Sequence, residues 1–296
     1  MAIQTKSKSF ISESFKTFLK QVILVSVSAS VFFLLSFSWL HFLEFGNFYF
    51  SKLTFFFLLF FSLFLLSLEG LLFEKTSSLF FISLLNFFSF SWIFLFLENF
   101  SFYQKNKIFL LLMLLSFLLL FLGEILIRQT KKEFLSFSFS KISSFSLFLF
   151  VLFLILIFDL SFHLALFSGK FFWLDELFKL FNFKFKSSQS LEELLFEIYH
   201  KPEIVLGAEI LLQKNLPFEI DFSKPISELI LKILKQRKPL KVFLAIEFLI
   251  FFFFYVLFSL ISFLVKIFGG FLVEVLLALG FLKKSYLNRP QEIIKI

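Results

Sequence analysis

The sequence predicts an all-α membrane protein: a polytopic bundle of about six transmembrane helices that carries one small helical domain outside the bilayer. Three observations support this fold class. Hydrophobic residues fill 59% of the 296 positions and charged residues only 17%, whereas soluble domains carry about 25% charged residues. Apolar runs of about twenty residues recur along the chain, and all prolines lie outside them. A single polar block separates the last of these runs from the others.

Six apolar runs are long enough to cross about 30 Å of hydrocarbon as helices. Five of them precede the polar block and one follows it. The predicted spans are residues 21–45, 53–73, 79–97, 108–127, 145–167 and 242–265. Because the connections among the first five spans are short, consecutive spans are predicted to be antiparallel neighbours.

The chain divides into five regions around these spans. They are a cytoplasmic amphipathic lead-in (1–20), a five-span region (21–168), an amphipathic surface helix with a small helical polar domain (169–241), a sixth span (242–268), and an interfacial helix with a polar tail (269–296). The last boundary follows from Gly269 and Gly270, which are predicted to break the helix. The apolar run beyond them is too short to cross the bilayer.

The distribution of basic residues predicts the orientation of this multi-pass cell-membrane protein. Four lysines precede the first span and four basic residues separate the fourth from the fifth, whereas the opposite loops carry three lysines. The N-terminus is therefore predicted to be cytoplasmic, and five crossings put the polar domain outside the cytoplasm. Basic residues just before the sixth span oppose this assignment, although a segment longer than about 60 residues escapes the rule in part.

The polar block is predicted to consist of amphipathic helices. Ser190 and Glu193 have the spacing of a capping box, and further helices are predicted to begin at Pro202 and Pro225. Three such helices in about fifty residues bury little core by themselves. They are therefore expected to pack against the membrane surface, the span ends, or a protein partner that binds residues 190–237.

The composition excludes several classes of function. The chain has no cysteine, which excludes disulfides, iron–sulfur clusters and thiolate zinc sites. No catalytic motif of zinc proteases, serine hydrolases or P-loop enzymes appears, so no catalytic residue, cofactor or metal ligand is predicted. The net charge of +8 comes from scattered basic residues. These favour anionic lipid headgroups in the bilayer and do not form a nucleic-acid-binding surface.

One candidate polar site is predicted inside the membrane. Asp159 lies about eight residues, or ~12 Å, from the end of the fifth span, and His163 follows one turn later on the same face. The two side chains are candidates for binding a cation or relaying a proton. His41, Glu44 and Glu247 are candidate contributors from spans that end on the same side. The alternative is a structural Asp–His hydrogen bond that fixes helix packing.

Two further glutamates are predicted to be unimportant for function. Glu69 and Glu124 lie within about one turn of the predicted cytoplasmic ends of their spans. Carboxylates at such positions reach the lipid headgroups by extending along the helix or by a small shift of the span.

Three classes of function remain. The preferred one is a non-catalytic membrane subunit, or an assembly or interaction factor, whose small helical domain binds a partner protein. The second is a small-molecule or proton-coupled ion transporter that uses Asp159 and His163. The third is a membrane enzyme acting on a lipid-linked substrate, which would require more charged groups in the loops.

Overall fold

The computed structural model describes most of the apolar part of the chain and short pieces of the polar domain. The described residues are 2–46, 51–95, 107–133, 138–167, 175, 188–199, 221, 223–229, 232, 240–286 and 292–295. The helices of this part are α1 (Ala2–Phe45), α2 (Lys52–Leu72), α3 (Thr76–Ser91), α4 (Lys107–Glu133), α5 (Phe139–Phe167), α6 (Leu191–Tyr199) and α7 (Leu240–Ala278). The prediction of an all-α membrane bundle is confirmed.

Five helices of the described part, α1, α2, α4, α5 and α7, are long and apolar enough to cross a membrane. α3 is shorter, with 16 residues, and continues into a 3₁₀ turn, Trp92–Leu95. At its start, Thr76 accepts a hydrogen bond from Arg128 near the end of α4. Just beyond its end, the ring of Phe94 packs 5.7 Å from that of Phe109 at the start of α4. α3 therefore runs antiparallel to α4 along the bundle. Together with the five long apolar helices it forms a bundle of six.

Contacts at both ends of the bundle fix its up-and-down order. Lys20, near the start of the apolar part of α1, donates hydrogen bonds of 2.8 Å to the carbonyls of Gly280 and Phe281 just after α7. The start of the first span and the end of the last therefore lie on the same side, which requires an even number of crossings. At the opposite end, Trp39 of α1 donates to Ser161 of α5. Six crossings satisfy both contacts.

The interior of the bundle is packed with aromatic rings. Phe158 of α5 is fully buried, and its ring lies 4.6 Å from Trp39, 5.4 Å from Phe90 and 5.0 Å from Phe258. These residues come from α1, α3, α5 and α7, so a single ring joins four helices. Edge-to-face and tilted ring pairs of this kind add about 0.5–1.5 kcal/mol each beyond area burial.

α7 differs from the sequence prediction, because it runs without a break through Gly269 and Gly270. Gly269 faces the ring of Phe139, which occupies the space of a Cβ atom, so the glycine serves close helix packing. The helix ends instead at Ala278, and the chain turns at Gly280, whose φ is +70°. There Phe281 N–H bonds the Leu276 carbonyl and Gly280 N–H bonds the Leu277 carbonyl, the two bonds of a Schellman motif.

The two termini also differ in detail from the predicted regions. The predicted lead-in is continuous with the first span, since α1 begins at Ala2. After α7 the tail forms an antiparallel hairpin in which β1 (Lys283–Tyr286) pairs with β2 (Glu292–Lys295).

In the polar domain, the predicted capping box is confirmed. Ser190 N–H donates to Glu193 Oε2, and Glu193 N–H donates to Ser190 Oγ, each over 3.1 Å. α6 follows this cap. The predicted surface helix at 171–181, except Asp175, and the helix predicted to begin at Pro202 lie outside the described residues.

Candidate functional site

The structure brings Asp159 and His163 together on α5. The distance from His163 Nε2 to Asp159 Oδ1 is 3.7 Å, which is longer than a hydrogen bond. The Asp159 side chain is 24% exposed and that of His163 17%. They share the half-exposed side of α5 with Leu156 and Leu160, while Phe158 belongs to the buried side. The pair therefore lies toward the outside of the bundle.

The other candidate residues of this site lie on different helices. His41 and Glu44 are half-buried near the end of α1, and the His41 ring packs 4.7 Å from that of Phe45. Glu247 belongs to α7, but its side chain lies outside the described part of the structure. Among the described side chains, no three histidine or carboxylate groups are arranged as metal ligands.

The structure reveals a second polar group, in the interior of the bundle. Glu69 of α2 and Glu124 of α4 are both completely buried, with 0% exposure. The prediction that these carboxylates reach the lipid headgroups is therefore wrong. The physical reason is the rotation of the two helices, which turns both side chains toward polar residues of α3.

α3 supplies a hydrogen-bond donor to each carboxylate. Asn86 Nδ2 donates to Glu69 Oε2 over 2.7 Å, and Ser83 Oγ donates to Glu124 Oε2 over 2.8 Å. Ser83 and Asn86 are three residues apart and share one face of α3. The two carboxyl groups are therefore held by donors one turn apart on α3. α2 and α4 approach closely at this level, since a Cβ atom on Gly70 would lie 3.0 Å from the Glu124 carbonyl oxygen. Ser28 of α1 lies beside Glu69.

We call these five residues, Ser28, Glu69, Ser83, Asn86 and Glu124, the carboxyl cluster. All five side chains are fully buried. Within the described chain, three of their oxygen atoms have no hydrogen-bond partner: Glu69 Oε1, Glu124 Oε1 and Asn86 Oδ1. Buried polar atoms in proteins are nearly always paired, so these three oxygens are candidate ligand atoms.

Two basic residues of α4 bond the end of α2 and the turn after it, close to the carboxyl cluster. Arg128 donates to the Glu74 carbonyl over 2.8 Å and to Thr76 Oγ1 over 2.7 Å. Lys131 donates over 2.8 Å to the Leu71 carbonyl at the end of α2, where a cation is favoured by the helix dipole. These bonds hold the end of α4 against the turn between α2 and α3.

The sequence contains a pattern that indicates the carboxyl cluster. Asn86 is the only asparagine within the six predicted spans, and Ser83 precedes it by one turn on the same face. A polar stripe inside an apolar helix needs a partner in the bundle, because lipid offers no hydrogen bond. Glu69 and Glu124, the glutamates of the neighbouring spans, were candidates for that partner.

Comparison with protein-family models, curated proteins and solved structures finds no match for this chain. Its apolar helices nevertheless show its class by physical criteria. The chain is an integral, multi-pass membrane protein that resides in a lipid bilayer.

Proposed function

We propose that this protein is a non-catalytic membrane subunit or interaction factor, whose polar domain binds a partner protein outside the hydrocarbon. The observation that supports the proposal is the surface of α6. Its Phe196 is 50% exposed, and the exposed Glu192 lies one turn earlier on the same face.

The chemistry of this surface favours a protein partner over a membrane. Phe196 offers an aromatic side chain of the kind that dominates protein–protein contacts. The exposed carboxylates of Glu192 and Glu193 lie beside it, and ionised carboxylates are costly to transfer into hydrocarbon. An apolar pocket bordered by basic residues would complement this surface.

α6 is held in place before any partner binds. The capping box fixes its first turn, and the Ile226 N–H donates to the Gln189 carbonyl over 3.0 Å. Ser190 and Pro225 form an antiparallel bridge beside this bond. A helix that is already ordered loses less conformational entropy on binding, which favours a recognition role.

The membrane helices supply a rigid base for this domain. Lys20, Arg128 and Lys131, basic residues near span ends, bond other helices or turns of the bundle. The interior is close-packed with aromatic rings. A bundle stabilised in this way is suited to positioning the polar domain at the membrane surface.

The test is site-specific photo-crosslinking in the native membrane. A photoreactive amino acid at position 196 is expected to yield a discrete protein adduct. The same amino acid at the exposed Ser188, which precedes the helix, serves as the matched control. The reversal E192K, which leaves the capping box of Ser190 and Glu193 intact, is expected to reduce the adduct at 196 at least severalfold. Crosslinking at 196 only to lipid, or no more than at 188, would contradict the proposal.

A transporter is the second candidate, because the Asp159–His163 pair stands within a span at 3.7 Å. If the pair carries protons, D159N and H163Q should each abolish a pH-driven flux in proteoliposomes. S144A, at an exposed position of the same helix, should leave that flux unchanged. An absence of any proton flux in the wild type would eliminate this candidate.

A further inference from the structure

We infer that the carboxyl cluster is a binding site for a small hard cation, which the oxygen atoms of Glu69 and Glu124 take up inside the bundle. This site lies away from both the polar domain and the Asp159–His163 pair, and it is independent of the proposed function.

The unpartnered atoms of the cluster are of one chemical kind. Those of Glu69, Glu124 and Asn86 are oxygens which, when the carboxyl groups are ionised, only accept hydrogen bonds or bind cations. Hard cations, from the proton to alkali and alkaline-earth ions, prefer such carboxylate and amide oxygens. The described part of the cluster contains no histidine or sulfur ligand of the kind that softer transition metals favour.

A neutral side chain of the cluster also carries an unpaired oxygen. Asn86 is fully buried, and its Oδ1 has no partner within the described chain. The Asn86 side chain is held at the carboxyl group of Glu69 by its 2.7 Å bond, and Ser28 adjoins the same carboxyl group. Asn86 therefore adds an amide oxygen beside the two carboxyl groups.

The charges of the cluster also favour a cation. Glu69 and Glu124 are fully buried and bonded to donors one turn apart on α3, and burying ionised carboxylates without compensation is strongly unfavourable. A bound cation offsets this loss of hydration. Of the nearby charged residues of α4, Arg128 bonds the Glu74 carbonyl in the turn between α2 and α3, and Lys131 bonds the Leu71 carbonyl at the end of α2. Glu74 in that turn is exposed.

The cluster is also close to one membrane surface. Glu69 lies three residues before the end of α2 at Leu72, a rise of ~4.5 Å. A cation entering from the side of Arg128 and Lys131 would therefore cross about one helical turn of protein. The cation can therefore reach the site without crossing the bilayer midplane and without a channel through the protein.

The experiment measures thermal unfolding of the purified full chain in detergent. Tm is recorded in NaCl, MgCl2 and CaCl2 against choline chloride at matched ionic strength, and across a series of pH values in choline chloride. Wild-type Tm is expected to rise either with one metal salt or with falling pH, which distinguishes a metal ion from a proton. E69Q and E124Q should abolish that rise.

Two further variants keep the test decisive. E74Q removes an exposed glutamate and should retain the full rise in Tm. S28A removes only the small hydroxyl beside Glu69 and keeps both carboxyl groups, so it tests the site with a milder change, and it should weaken the apparent cation affinity at least threefold. A wild-type Tm that responds to no cation and no pH change would overturn the inference. So would a response that is identical in wild type, S28A and the glutamine variants.

Discussion

The indole N–H of Trp39 donates a 2.7 Å hydrogen bond to the hydroxyl of Ser161, a residue 122 positions further along the chain. Both side chains are buried. The same hydroxyl donates to the Phe158 carbonyl over 2.8 Å, so it bonds in both directions. This contact joins α1 to α5 at the end of the bundle from which the polar domain extends.

We expect S161A to leave the Trp39 N–H unpaired in an apolar setting and to lower the free energy of unfolding by about 1 kcal/mol. Interhelical hydrogen bonds in membranes average about 0.6 kcal/mol, so the coupling in a W39F/S161A double-mutant cycle should be of that order. Equilibrium unfolding in mixed micelles measures both the change in the free energy of unfolding and the coupling energy. The control is S144A on the exposed side of α5, and equal effects of S161A and S144A would refute the contact.

Adjacent glycines of α7 should respond in opposite ways to alanine. A Cβ atom at Gly269 would overlap the ring of Phe139, whereas one at Gly270 meets nothing within 4 Å. Because the buried Phe139 ring has little room to move, G269A should destabilise the protein by about 1–3 kcal/mol. G270A should be neutral or stabilising by up to about 1 kcal/mol. Thermal unfolding of the two variants compares them directly, and equal Tm values would contradict the packing at Gly269.

The six predicted crossings would put Glu74 and Ser188 on opposite sides of the membrane. Both residues are exposed, and the native chain has no cysteine to label. In intact cells, a membrane-impermeant maleimide should therefore label S188C and spare E74C. Labelling of both, or of neither, is incompatible with six crossings. Labelling of E74C alone would be compatible with six crossings but would show that the orientation is opposite to the predicted one.

The turn at Asp221 should depend on pH in a defined direction. The hydrogen bond from the Ser223 hydroxyl, aided by the Ser223 N–H and by Lys224 and Lys232, outweighs desolvation and lowers the pKa of Asp221. A carboxyl group with a lowered pKa stabilises the folded turn at pH values above its ordinary range, and this contribution is lost as pH falls through the lowered value.

Carbon-13 NMR of the Asp221 carboxyl group measures this effect. Its titration midpoint should lie below that of an unstructured peptide, and S223A should move the midpoint upward. S227A, two residues beyond Pro225, is the control and should not change the midpoint. If S223A leaves the titration midpoint unchanged, the hydrogen bond from Ser223 is not the cause of the lowered pKa of Asp221.

The helices were predictable because they depend on local properties of the chain. Runs of about twenty apolar residues are sufficient to locate spans, and the spacing of Ser190 and Glu193 is sufficient to locate a cap. Even α3, with 16 helical residues, was predicted as a span, since its apolar run continues into the 3₁₀ turn.

The interior site was not predictable in the same way, because it depends on how each helix is rotated. Glu69 and Glu124 are near span ends, where a carboxylate either extends to the headgroups or turns inward. Hydrogen bonds from Ser83 and Asn86 decide the outcome, and these donors belong to a third helix. Gly269 shows the same limit, since a glycine that breaks a helix and one that admits a neighbouring ring look alike in sequence.

The bonds from Lys20 to Gly280 and Phe281 also constrain how the protein is made. Lys20 and Gly280 are 260 residues apart, and ribosomes add about 5–20 residues per second. Lys20 therefore waits on the order of ten seconds to a minute for its partner. During that interval its ammonium group must remain hydrated at the membrane surface. The contact that joins the start of the apolar part of α1 to the end of α7 is therefore among the last in the described chain to form.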